Sequence, residues 1–182
     1  MRELSLNVLD IAENSFKAKA KTVEISIIQK DNLLTIIVKD DGIGMDEDFL
    51  KRVTDPFTTT RTTRKVGMGI PLFKMVAQQS GGTFGIESKV GKGTTVTATF
   101  QIDNVDRPPL GDVAETMTSI IANLGDARLI FNFSAFGEVF TLDTDEVKKE
   151  LGEIPINAPE ILVFLRDMIN ENIKTNCRGV SL

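Results

Sequence analysis

An α+β architecture is what this sequence predicts, and three observations carry it. Segments with a two-residue apolar alternation come in neighbouring pairs joined by turn residues, the mark of antiparallel hairpins. Segments with a helical period stand before, between and after those pairs. At residues 104–111 a Pro-Pro-containing stretch interrupts the pattern, which then restarts. A first unit over 1–103 is therefore expected to be followed by a small α+β extension over 104–182.

The 182 residues suffice for one sizeable domain, or for one domain with an elaborated tail. The net charge of −5 is unevenly spread: residues 1–103 hold 14 Lys and Arg against 13 Asp and Glu, and residues 104–182 hold 7 against 13. The acidic second part argues against nucleic acid or an anionic membrane as its partner. A single cysteine, Cys177, precludes an intrachain disulfide, and the lack of any histidine excludes a four-ligand Cys/His zinc site. No segment is long and apolar enough to span a bilayer, and the first residues lack a signal-peptide core. A soluble, cytoplasmic protein is the expectation.

Taken in order, residues 3–19 have helical period. Leu4, Val8, Ile11, Ala12 and Ser15 share one arc, with Leu9 and Phe16 at its edge, while Asn7, Asp10, Glu13, Asn14 and Lys17 occupy the opposite arc. Asp10, Asn14 and Lys17 follow i, i+4, i+7 spacing and stack on one face. That face is either solvated surface or a convergence of carboxylate, amide and ammonium on a polyphosphate and its metal. Residues 22–27 alternate as a half-buried strand, Lys30-Asp31-Asn32 turns the chain, and residues 33–39 return to end at Asp40. The stretch from Asp46 opens a short helix with acidic residues in its first turn, where the helix dipole favours them.

Residues 54–69 have a different texture. They are rich in threonine and basic side chains, poor in apolar ones, and end in Gly67-Met68-Gly69 just before a helix over 70–80. A long polar loop inside a compact domain is usually functional or disordered, and a mobile surface loop is the competing reading. Arg61, Arg64 and Lys65 can meet anionic oxygens, and the glycines leave backbone N–H groups open at a helix start, a natural anion site. Pro71 is tolerated in the first turn and Gly81-Gly82 stops the helix. Residues 83–88 and 94–100 form a hairpin around Val90-Gly91-Lys92-Gly93. In the extension, Asp112 with Glu115 starts a helix in the manner of a capping box. A hairpin over 127–142, a short helix over 144–151 and a last helix capped by Asn157 and running to about Lys174 complete the chain. The extension holds no catalytic constellation, and docking, against the first unit or against a partner, is its expected role.

The chemistry centres on Asp40-Asp41-Gly42-Ile43-Gly44. An Asp at a strand end followed by Gly-x-Gly puts a fixed carboxylate beside a backbone that can turn sharply and approach a ligand closely. Alone, this is also how many plain hairpins turn. The order is what discriminates: a helix with Asp-x-x-x-Asn, a strand pair, Asp-x-Gly-x-Gly, a Thr/basic loop, Gly-x-Gly, a helix, Gly-Gly, and a strand followed by Gly-x-Gly-Thr. With these four motifs in sequence, residues 3–102 resemble the ATP-binding domain shared by DNA gyrase, heat-shock chaperone ATPases, histidine kinases and MutL, the GHKL or Bergerat fold.

The resemblance implies a Bergerat-type α/β sandwich, a mixed sheet covered by helices on one face, that binds ATP with Mg²⁺. It implies that Asn14 ligates the Mg²⁺ and that Lys17 contacts phosphate. Asp40 would accept a hydrogen bond from the adenine amino group, which selects adenine over guanine because a carboxylate cannot pair with a carbonyl. Gly42 and Gly44 would let the backbone pack against the base. Phe57, Thr58 and Arg61 resemble the entry of a histidine-kinase ATP lid, and Gly67, Met68 and Gly69 its end. Thr94, in Gly91-Lys92-Gly93-Thr94, would help hold Asp40 and the adenine through its hydroxyl or a water. Two positions depart from the family pattern: Lys65 stands near where the lid has a further glycine, and Asp10 stands where a catalytic glutamate is common, one methylene shorter. The chain has no histidine, and Asn14 leaves no room before it for a phosphoacceptor hairpin, so self-phosphorylation on histidine is not expected. The expectation is a stand-alone regulatory protein kinase acting on another chain, with Asp10 orienting or deprotonating the acceptor. An ATPase switch of the MutL/gyrase type and a non-catalytic ATP sensor are the alternatives. A partner protein engaged through residues 104–182 is expected, with a second copy of the chain as the other candidate.

Overall fold

The computed structural model describes residues 3–54, 69–178 and 182. The elements run α1 (Leu4–Lys17), β1 (Thr22–Lys30), β2 (Leu33–Asp40), α2 (Glu47–Val53), α3 (Gly69–Gln79), β3 (Phe84–Lys89), β4 (Gly93–Gln101), α4 (Val113–Ala122), β5 (Arg128–Ala135), β6 (Glu138–Asp143), α5 (Thr144–Leu151) and α6 (Pro159–Asn176). The strands form one six-stranded sheet in the order β3-β4-β2-β1-β5-β6. All neighbours are antiparallel except β1 and β5, which run parallel from Thr22 opposite Arg128 to Ile28 opposite Ser134. The sheet is mixed, the class is α+β, and both agree with the sequence expectation.

Strand alternation sets the layers. Val23, Ile25 and Ile27 of β1, Leu34, Ile36 and Val38 of β2, Val96, Ala98 and Phe100 of β4, and Leu129, Phe131 and Phe133 of β5 are all buried. They face a layer of helices in which α1 packs on α3 and α4, and α4 on α6. Phe73 of α3 meets Phe100 with ring centroids 5.6 Å apart, and Phe84 edge-on at 6.4 Å. The other face of the sheet mixes isoleucines (Ile28, Ile37, Ile130) with polar residues. There Asn132 donates to Glu24 Oε1 (3.2 Å) and Ser26 Oγ (3.3 Å), and the Thr141 hydroxyl donates to Asn132 Oδ1 (2.9 Å).

The chain passes residues 104–111 without leaving this sheet, because β5 and β6 extend it beyond β1. The N–H groups of Leu4 and Ser5 donate to the carbonyls of Pro109 and Leu110, at 3.0 and 2.9 Å. This cover changes α1. Asn7, expected on the polar arc, is 1% exposed, on a helix against which α4 packs; its amide donates to Glu3 O at 3.4 Å.

Two helix starts differ from expectation in an instructive way. Asp112 caps α4 as read, accepting from Glu115 N at 2.8 Å, but the reciprocal half is supplied by Glu3, whose Oε2 accepts from Asp112 N at 3.4 Å. Asn157 does not cap α6. The N-cap is Ala158, without a side-chain bond, and Pro159 at N1 starts the helix, since its fixed φ suits that position and its missing N–H needs no partner there.

Candidate functional site

The site is built where the end of β2, the start of β4 and the end of α1 meet. Register places Asp40 opposite Thr94 on one side and Val23 on the other. Asp40 is only 9% exposed, and its carboxylate is fixed from three directions. Oδ1 accepts from Gly42 N at 2.9 Å and from Thr94 N at 3.3 Å; Oδ2 accepts from the Ser15 hydroxyl at 2.7 Å. An ionised carboxylate has about four acceptor directions. Three are used, and what is left on Oδ2 is a preoriented acceptor for an N–H donor of a ligand.

The neighbouring Asp41 has a different task. Its Oδ1 accepts from Lys21 N at 2.7 Å and Thr22 N at 2.8 Å, tying the turn to the start of β1. Burial pushes its carboxyl up, but the N–H donors of Thr22 and Lys21 outweigh that and hold it below the ordinary carboxylate value.

The glycines of the turn serve the protein's own packing. At Gly42 a Cβ would lie 2.8 Å from Ala18 O, the end of α1, and 3.0 Å from Asp40 Oδ1. Gly44 has φ +67°, and a Cβ there would lie 2.0 Å from Lys89 O. Among the protein's own atoms, the close neighbours of these two glycines are the end of α1 and the β3–β4 turn. The turn is pinned further by Ile43 N donating to Ala18 O at 2.9 Å and Gly91 N donating to Ile43 O at 2.8 Å.

Thr94 holds Asp40 through its backbone N–H. Its hydroxyl, expected to do so, shares a hydrogen bond with Ser88 Oγ at 2.9 Å, and Ser88 in turn accepts from Met45 N at 2.9 Å. The antiparallel register explains the exchange, since pairing opposite Asp40 directs the Thr94 N–H inward.

Asp10 and Asn14 lie one turn apart on α1, both half-buried. Asp10 abuts the first residue of α3: a Cβ on Gly69 would stand 3.0 Å from Asp10 Cβ. The Asn14 amide makes no side-chain hydrogen bond among the described residues, which leaves its oxygen available as a ligand. Among those residues no group of three or more acidic or thiol side chains converges as a metal cluster. A single neutral amide oxygen suits Mg²⁺, which keeps waters and takes its other protein-independent ligands from substrate phosphates. Lys17 is not brought into this cluster. Its ammonium sits 3.3 Å from Glu13 Oε2, with the side chain 71% exposed. Phe57, Thr58, Arg61, Lys65, Gly67 and Met68 lie outside the described residues.

Ser15 is the site residue that the sequence analysis did not single out. Helical period puts it on the apolar arc of α1, and it is 3% exposed. A hydroxyl on an otherwise apolar arc was the available signal, because a buried hydroxyl needs a partner.

Comparison with known proteins agrees with the geometry. The family described as histidine kinase-, DNA gyrase B- and HSP90-like ATPase matches residues 1–104. A probable C4-dicarboxylate sensor kinase of Bacillus subtilis is 31% identical over 97 residues, covering 52% of this chain and 18% of that protein. Sporulation kinase E of the same organism is 39% identical over 80 residues, 44% of this chain and 11% of that protein. Histidine protein kinase DivJ of Caulobacter vibrioides is 30% identical over 107 residues, 56% of this chain and 18% of that protein. The chain thus spans less than a fifth of the length of these relatives. With a family match over more than half its length, the chain belongs to the histidine kinase-, DNA gyrase B- and HSP90-like ATPases, and residues 1–104 are its ATP-binding domain.

Proposed function

We propose that the chain is a regulatory protein kinase of the histidine-kinase-like type, transferring the γ-phosphoryl group of ATP to a partner protein that docks on residues 104–182. The observation that carries the reading is the Asp40 carboxylate, with three hydrogen bonds from the protein and one acceptor direction left for the adenine amino group. Asn14 would hold Mg²⁺ through its amide oxygen, and that ion would neutralise charge on the phosphates. Asp10, a turn earlier on α1 and beside the start of α3, would orient the acceptor hydroxyl or imidazole and take its proton. Arg61 and Lys65 of the Thr/basic segment would meet the phosphates, and Gly67, Met68 and Gly69 would offer N–H groups at the head of α3. The sensor kinases among the relatives support phosphotransfer over hydrolysis.

The test is incubation of the full chain with γ-labelled ATP, Mg²⁺ and extract of its source cells. A labelled acceptor protein is expected, with label lost in Asp10→Asn while ATP binding stays within about twofold. Steady phosphate release with no labelled protein would replace the kinase by the ATPase switch. Activity in cells that survives Asp10→Asn but not Asp40→Asn would replace it by the ATP sensor.

A further inference from the structure

Helices α5 and α6 leave between them a groove of about 470 Å³ that the core does not fill. Its floor is Val147 and Leu151 from α5 and Ile161, Phe164, Leu165 and Met168 from α6. The α6 residues follow i, i+3, i+4, i+7 spacing, so they form one continuous helix face. Leu165 is 1% exposed, but Phe164 is 63% exposed, with Val163 beside it at 49%. Phe164 and Val163 together leave an apolar patch in water beside the buried Leu165 and Ile169, and such a patch marks an interaction site more often than an accident.

The rims carry the opposite character. On α5, Glu146 and Glu150 stand one turn apart; on the outer side of α6, Glu160, Asp167 and Glu171 run beside Phe164. Asp167 approaches Arg166 at 3.7 Å, but Glu146, Glu150, Glu160 and Glu171 make no ion pair among the described residues. Among the described residues, Lys149 is the only cation in the lining. An apolar floor between acidic rims selects its occupant: a helix laying apolar anchors into the groove while Lys or Arg on its flanks meet the glutamates. Nucleic acid or anionic lipid would meet like charge. A second copy of this face would set glutamate against glutamate.

We infer that the α5–α6 groove docks a basic amphipathic helix of the partner protein, with Phe164 as the central anchor. This rests on the reading of residues 104–182 as the partner's docking region, and names the segment that docks. The test uses the full chain and two fluorescein-labelled peptides of about 18 residues, long enough for five turns. One carries leucine at helical spacing with lysine elsewhere; the other has glutamate in place of lysine. Binding is followed by anisotropy at physiological salt. The lysine peptide should bind with a dissociation constant on the order of micromolar and the glutamate peptide should not. Phe164→Ser should weaken binding by about tenfold or more, and the double change Glu146→Lys with Glu150→Lys should invert the peptide preference. Unchanged thermal melting controls for folding, since these side chains are exposed. Equal binding of both peptides, or binding indifferent to Phe164→Ser and to the charge reversals, overturns the proposal. So does a dimer in sedimentation that Phe164→Ser dissociates, because the occupant is then a second copy. Asp40→Asn should bind the lysine peptide like the wild type, so a failed groove and a failed ATP site are separable.

Discussion

The two halves of the sheet share one core and divide the labour. The β3-β4-β2-β1 half ends its strands at a carboxylate held by Ser15, Gly42 and Thr94, and every described site residue belongs to it or to α1 and α3. The β5-β6 half, with α4, α5 and α6, contributes none of the described residues of that site, yet its Leu129, Phe131 and Phe133 are fully buried in the common core. It also carries the acidic excess. On the proposed reading, chemistry and docking sit on one continuous sheet without sharing residues, so a change in one half should read out in that half's function while any large core change reaches both.

The strongest way to break this division is from the core. Phe131→Ala should cost about 3–5 kcal/mol, because it removes a ring packed beneath β5 and leaves a cavity. Urea unfolding should shift as one transition reported equally by both halves; two separate transitions would mean that the halves are independent units after all. Next, Asp40→Asn should reduce ATP affinity roughly 100-fold, about 2.8 kcal/mol at 1.4 per tenfold, with an unchanged melt. The two N–H groups on Oδ1 keep the amide oxygen there, so the amide NH₂ takes the Oδ2 position and opposes the adenine amino group. Titration calorimetry measures it, and retained binding would remove Asp40 from the site.

A smaller and more selective effect is expected at Ser15. Without its 2.7 Å bond, Oδ2 loses its fixed direction, so Ser15→Ala should weaken ATP by roughly tenfold. Inosine triphosphate, which has a carbonyl where ATP has the amino group, should bind as weakly as before. An equal loss for both nucleotides would make Ser15 a packing residue only.

The smallest effect belongs to the other half. Arg128, on β5, donates from Nε to Asp143 Oδ1 at 3.0 Å and from Nη2 to Asp143 Oδ2. The guanidinium's hydrogen bond holds the Asp143 carboxyl below its ordinary value of 3.8, against the upward push of burial. A depressed folded-state value means that the contribution is complete above the unfolded value and disappears as pH falls through the folded one. Stability should therefore decline as acid is added below pH 3.8, and Asp143→Asn should flatten that decline while leaving ATP binding untouched. A steeper decline in the variant would contradict the sign.

Much of this was legible in local pattern. Helix and strand periods located each element to within a few residues, and the order of the glycine motifs identified the ATP-binding domain. What stayed hidden was set by distant neighbours. Asn7 reads as polar surface, yet it is buried on a helix against which α4 packs. Ser15 reads as a small core residue until Asp40 arrives 25 positions later in the chain. The parallel pairing of β1 with β5 has no local signature, because hairpin turns announce antiparallel neighbours and nothing in either strand names a partner across the whole of the ATP-binding domain. Nor does the Gly-x-Gly pattern name the protein backbone that comes close to Gly42 and Gly44, which is that of Ala18 and Lys89.

That parallel pairing also has a consequence for biosynthesis. Strand β1 has β2 on one side almost at once, but its other edge waits for β5, about 100 residues later. At translation speeds of about 5–20 residues per second, the edge from Thr22 to Ile28 stands open for roughly 5–20 seconds on the ribosome. Val23, Ile25 and Ile27 lie along it, in a chain whose central sheet is unfinished. An open, apolar strand edge is a template for intermolecular pairing. Truncating the chain after the ATP-binding domain would make that interval permanent, so the shortened protein should be recovered as aggregate.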